Sequence, residues 1–157
     1  MEGRGIATRA GNGDDIALGI LDDLAGYHLR RASSVFANDF ARALAGTGMR
    51  QVLFGILSII AANPRINQGN VGRALGIQRA NMVSLVNELV DRDLVLREVA
   101  ADDRRAFSLT LTPAGRKIVA QCVKLIEAHE ARLLADLSAK ERTALIAMLS
   151  RIEAKEA

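Results

Sequence analysis

The sequence predicts a mainly α-helical fold carrying a small two-stranded β wing. Three observations support this. Apolar residues recur at helical spacing through most of the chain. Two of the helical segments are separated by the tight Leu75-Gly76-Ile77 turn. Two short β-prone runs then bracket a polar, arginine-bearing tip. With 157 residues, 50% of them apolar and 25% charged, the chain is one ordinary domain that buries roughly two-thirds of its unfolded surface without staples. That balance, with one Tyr and no Trp, argues against disorder and against a β-sandwich.

From the N-terminus, Met1 to Gly13 holds four glycines and no apolar segment. A flexible tail is expected there rather than a secretory signal, which makes the cytoplasm the expected location. Residues 14–157 are expected to form a single domain. Asp14 and Asp15 suit the start of a first helix, long or broken, in which Ile16, Ile20, Leu24, Ala32, Val35 or Phe36, Phe40 and Leu44 recur. Gly46-Thr47-Gly48 ends it. Met49 to Ala62 reads as a second helix, apolar nearly all round and therefore buried, stopped by Asn63-Pro64. Its longest apolar run falls short of the 18 or more residues of a membrane span, so no membrane segment is expected. Asn67 caps a short third helix, and a fourth runs from about Gln78 to Arg92 with Met82, Leu85, Val86 and Leu89 on one face.

Leu94 to Val99 and Ala106 to Leu111 predict the hairpin, with Ala101-Asp102-Asp103-Arg104-Arg105 at its tip. Thr112 caps a fifth helix that begins at Pro113, where the missing N–H costs nothing, and extends to about Leu137. Ser138-Ala139-Lys140-Glu141 is a capping box opening the last helix. The whole is a winged helix-turn-helix over about residues 49–112, flanked by dimerisation helices over about 14–45 and 113–155. Dimerisation is expected because the middle unit does not cover the apolar faces of the end helices.

Charge layout gives the first functional pointer. The net charge is +3, yet between Asp39 and Glu88 there is no acidic residue, while Arg42, Arg50, Arg65, Arg73 and Arg79 fall in that interval. Arginine suits phosphates and guanine edges. On the fourth helix Gln78, Arg79, Asn81, Ser84 and Asn87 lie off the apolar stripe and carry the amide, guanidinium and hydroxyl groups that contact DNA in the major groove. Arg73 from the third helix joins them, and the basic hairpin tip is suited to the adjoining minor groove. A solvated surface is the alternative use of each of these residues.

The run Asp103-Arg104-Arg105-Ala106-Phe107-Ser108-Leu109-Thr110-Leu111-Thr112-Pro113-Ala114-Gly115 matches the D-x-R-x-x-x-L-x-L-T-x-x-G wing signature and resembles the MarR family from about Gly26 to the C-terminus. The resemblance implies a winged-helix homodimer that binds double-stranded DNA under small-molecule control. It implies that Asp103 orients its neighbour and that Arg105 is the signature arginine of the wing, with Arg104 an added minor-groove candidate. Gln78 and Asn81 stand where Ser and Thr are frequent in the family, which leaves the operator sequence open.

For the effector, Tyr27 and Arg31 are four apart and His28 and Arg31 three apart, so phenol, imidazole and guanidinium converge on one helical face with Arg30 and Ser34 beside it. The segment Gly26 to Ser33 resembles that of family members sensing aromatic acids or their coenzyme A thioesters. An aromatic acid needs an apolar pocket, for which Phe36, Phe40, Phe54 and Ile56 are available, and a thioester adds phosphates for the arginines. Intersubunit packing and ion pairs are the alternative use of the same residues. The expected function is a ligand-responsive repressor of aromatic-compound catabolic genes; the alternatives are a regulator of drug-efflux or stress genes, and a helical interaction domain without DNA binding.

Catalysis is not expected. His28 and His129 have no metal-ligand spacing, and no phosphate-binding loop or dinucleotide fingerprint occurs. No metal or other cofactor is expected either. Cys122 sits among Val119, Val123 and Ile126, where a buried inert thiol is expected rather than a redox trigger.

Overall fold

A computed structural model describes residues 16–99 and 107–155. A 3-10 helix, Gly19–Asp23, is followed by α1 (Ala25–Ala43), α2 (Gln51–Ala62), β1 (Ile66–Asn67), α3 (Gln68–Ala74), α4 (Arg79–Asp91), β2 (Val95–Val99), β3 (Phe107–Leu111), α5 (Pro113–Leu133) and α6 (Ala139–Glu153). The chain divides into two compact units, one ending at Ser34 and the other beginning at Val35. In the first, the expected helix is broken at Leu24, whose backbone is extended. Neither the 3-10 helix nor α1 contains a fully buried residue.

The second unit is organised around α2. Leu53, Ile56, Leu57 and Ile60, at i, i+3, i+4 and i+7, are at most 1% exposed. They share one core with Val71 of α3, Met82, Val86 and Leu89 of α4, Leu109 of β3 and Cys122 of α5. Each such side chain taken from water contributes about 1.5–3 kcal/mol, which explains why so apolar a helix occupies the centre. Asn67 Oδ1 accepts the Gly69 N–H at 2.7 Å and starts α3 as expected. The turn into α4 needs a left-handed residue, supplied by Gly76 at φ 62°.

The sheet has three antiparallel strands in the order β1-β3-β2, with Ile66 opposite Leu109 and Val95 opposite Leu111. The expected hairpin is therefore joined by a third strand. Two residues are too few to leave an alternating pattern in the sequence, and β1 exists because β3 offers it a free edge. Thr112 knots the hairpin to α5: its Oγ1 donates to the Asp93 carbonyl at 2.6 Å and accepts from Gly115 N–H at 2.8 Å.

α5 ends at Leu133, four residues short of the expected Leu137. Arg142 supplies the reason. Its guanidinium donates to the carbonyls of Leu134 and Leu137, at 2.8 and 3.1 Å, satisfying acceptors past the end of α5 that have no helical partner. The Ser138–Glu141 capping box then opens α6 as expected.

Candidate functional site

Helix α4 is anchored by Met82, Val86 and Leu89 and presents its other side outward. Gln78 is its N-cap residue, and Arg79 its first residue. Gln78, Asn81 and Ser84 come together along a shallow open depression of about 590 Å³, beside Gly76 and Ile77. Ala80, Ser84 and Asn87, spaced as i, i+4 and i+7, form the outermost exposed ridge with Val83, which is 42% exposed. Val83 was not among the expected contacts, although its place off the apolar stripe marks it; an exposed branched side chain there suits a thymine methyl. Arg79 is exposed and makes no side-chain hydrogen bond or ion pair among the described residues.

Charge further divides the helix. Asp91 stands at its C-terminal end, and Glu88 is paired with Arg50 and, at 3.7 Å, with Arg92. Arg92 also donates to the Gly48 carbonyl at 3.0 Å. These contacts fasten the C-terminal half of α4 to the start of α2 and commit Arg50, part of the acid-free stretch, to an intramolecular partner. Arg73 donates to Asn70, one turn earlier on α3. The stretch of α4 from Arg79 to Asn87, which carries no acid, is left as the part suited to anionic DNA.

The hairpin adds a residue that was not expected. Arg97 of β2 donates through Nη1 to Asn87 Oδ1 at 2.6 Å, and its Cζ lies 5.1 Å from the centre of the Phe107 ring on β3. Its signal was an arginine in the same alternation as buried Val95, where the strand pattern calls for an apolar side chain. Asp103, Arg104 and Arg105 lie outside the described residues.

In the first unit the expected cluster forms in part. Arg31 Nη1 donates to the Tyr27 hydroxyl at 3.4 Å, and the guanidinium carbons of Arg30 and Arg31 lie 5.6 and 5.9 Å from the Tyr27 ring centre. His28 packs edge-on against Tyr27 at 5.4 Å but turns back to the 3-10 helix rather than to Arg31: its Nε2 donates to the Asp22 carbonyl at 2.9 Å. Ser34 is occupied by the Arg30 carbonyl at 3.0 Å.

In the second unit Phe36 and Phe40 flank the ring of His129 edge-on, at 5.7 and 6.0 Å, and Phe40 meets Phe54 at 6.3 Å. Ile56 is fully buried in the core. His129, 2% exposed, donates through Nδ1 to Asp39 at 2.6 Å, and Arg132 holds the same carboxylate oxygen. The His129 hydrogen bond, aided by Arg132 against a desolvation penalty, holds the Asp39 carboxyl below the usual range. These partners are 90 or more residues apart in sequence, so no local pattern could pair them. Cys122 is fully buried, and burial pushes its thiol up. No helix among the described residues is long and apolar enough to cross a membrane.

The profile of the MarR family matches residues 48–106, which take in the helix-turn-helix and β2, the first strand of the hairpin. A protein of Thauera aromatica, whose name assigns it to transcriptional regulation of the hcr operon, is 34% identical over 128 residues, 81% of this chain and 77% of that protein. Among solved structures, the transcriptional repressor CouR bound to a 23-mer DNA duplex superimposes with a TM-score of 0.85 at 35% identity, covering 89% of this chain and 99% of that one. CouR bound to p-coumaroyl-CoA does so with 0.77 at 34%, covering 88% and 98%. Fold, wing signature and these relatives agree: the chain belongs to the MarR family of winged-helix transcriptional regulators.

Proposed function

We propose that this protein is a homodimeric cytoplasmic repressor of aromatic-compound catabolic genes, released from a pseudo-palindromic operator by an aromatic acid or a hydroxycinnamoyl-CoA-type thioester. The observation that carries the effector reading is the Tyr27 ring with Arg30 and Arg31 around it. Two guanidinium groups beside one phenol concentrate positive charge on an exposed face, and carboxylates and phosphates are the anions arginine binds best. The likeness to CouR, a repressor solved with both a DNA duplex and p-coumaroyl-CoA, supports the same ligand class.

A second copy is the natural cover for the exposed apolar side chains of the end helices, Ile16 and Ile20 before α1 and Ile146, Met148 and Ile152 on α6. Two α4 helices then read half-sites about one helical turn, roughly 10 bp, apart, with Arg104 and Arg105 of each wing on the flanking backbone. Ligand binding favours a dimer whose α4 helices are misplaced for successive grooves, so DNA is released by differential affinity between two states. Calorimetry of the protein against phenolic acids and their coenzyme A esters tests the effector. Thioester binding abolished by Arg30→Ala or Arg31→Ala is the expected result; binding of free acids alone removes the thioester, and binding of neither returns these residues to packing.

A further inference from the structure

We propose that Arg97 sets the hydrogen-bonding polarity of Asn87, presenting it to DNA chiefly as a donor and so biasing which base edge it addresses. The inference rests on the DNA-binding reading above and adds a specificity determinant to it. Asn87 carries one carbonyl acceptor and one amide with two donors. A free asparagine in the major groove uses both together, pairing with the N6 donor and N7 acceptor of adenine. Here Arg97 Nη1 approaches Asn87 Oδ1 at 2.6 Å. A guanidinium has no acceptor, so the atom facing it has to be the carbonyl oxygen, and the amide nitrogen is the end left over. Arg97 takes one of the two Oδ1 lone pairs and sets a cation beside the other, which weakens Asn87 as an acceptor for adenine N6. Its amide fits acceptor edges instead: guanine O6 and N7, or thymine O4.

Arg97 is held for this task from the opposite side. It is half-buried and pairs with Leu109 across the β2–β3 ladder, and its guanidinium lies over the Phe107 ring at 5.1 Å. Such cation–π stacking restricts the side chain's rotation. The stack connects the position of the hairpin to the orientation of an α4 side chain that is itself exposed. Arg97 is thus a positioning residue that acts through Asn87.

The test is enrichment of duplexes from a randomised library by the full-length protein, Arg97→Met, Arg97→Lys and Asn87→Ala, followed by salt titrations on the duplex that the unmodified protein enriches. The expected result is a guanine or thymine preference at one position of each half-site. Asn87→Ala loses that preference, Arg97→Met shifts it towards adenine and weakens binding about tenfold, and Arg97→Lys, which still offers a donor, retains it. The Arg97→Met, Asn87→Ala double variant then behaves as Asn87→Ala alone. Equal, non-additive losses on enriched and unrelated duplexes place the acceptor on a phosphate oxygen and overturn the base-edge selection proposed here. Unchanged preference and affinity in Arg97→Met overturn the proposal. So does a fall of about 0.9 in its log–log salt slope without a change in preference, which makes Arg97 itself the phosphate contact. Failure to enrich any duplex overturns DNA binding, and this inference with it.

Discussion

A Cβ placed on Gly115 would lie 2.0 Å from the carbonyl oxygen of Leu94. That oxygen already accepts the Thr112 N–H at 3.1 Å, so neither side of the contact can withdraw without undoing the knot between the hairpin and α5. The glycine of the wing signature is therefore a packing requirement. Replacing glycine by alanine inside a helix is worth at most about 1 kcal/mol, whereas forcing a methyl into a filled site costs about 1–3 kcal/mol, and more against rigid backbone. Gly115→Ala is expected to lower the urea midpoint; an unchanged midpoint would show that α5 can shift freely.

Asp39 gives stability a defined acid dependence. Its folded pKa is depressed below the ordinary 3.8, chiefly by the His129 hydrogen bond. A depressed acid contributes stability above its unfolded pKa and loses that contribution as pH falls through the folded value. The difference in urea midpoint between the unmodified protein and Asp39→Asn should hence be largest near neutrality and shrink below about pH 4. A difference that stays constant down the acid range would show that the carboxylate's charge is not what binds His129 and Arg132.

Cys122 should be silent as a redox sensor. Its thiol is fully buried in the core, and desolvation, opposed by the Thr47 hydrogen bond, raises its pKa. Thiolate, the reactive form, is accordingly scarce in the folded state. A chromogenic disulfide reagent is expected to label the protein promptly in urea and only slowly without it. Equal rates would reopen the redox reading.

The parts of this architecture legible in the sequence are those fixed by neighbours along the chain. Asn67, Thr112 and Ser138 each bond a backbone N–H two or three residues on, so their caps are written locally. The apolar character of α2 nearly all round likewise marks it as the buried helix. What escaped depends on partners distant in sequence. Strand β1 is defined by pairing with β3, the end of α5 by Arg142, and the setting of His129 by Asp39. Asn87 is the instructive case in the candidate site. Its exposure on α4 was readable from the helical period, but the engagement of its acceptor by Arg97 was not, because that contact joins a helix to a strand.

Arg79 is the α4 side chain whose replacement should weaken operator binding most directly. It is the first residue of the helix, where side chains enter the major groove, and it lies in the half of α4 that carries no acid. By contrast, Arg50 and Arg92 hold Glu88, and Arg73 holds Asn70. Arg79 has no partner to release among the described residues, so binding DNA costs it no intramolecular bond. If it meets a guanine bidentately, Arg79→Ala should cost about 1–3 kcal/mol on the enriched duplex and far less on an unrelated one. If it meets a phosphate, both duplexes should weaken alike and the salt slope should fall by about 0.9. Because the side chain is exposed, the urea midpoint should move by less than about 0.5 kcal/mol equivalent in either case. Mobility-shift titrations on the two duplexes over a range of salt distinguish these outcomes, and unchanged binding on both would remove Arg79 from the interface.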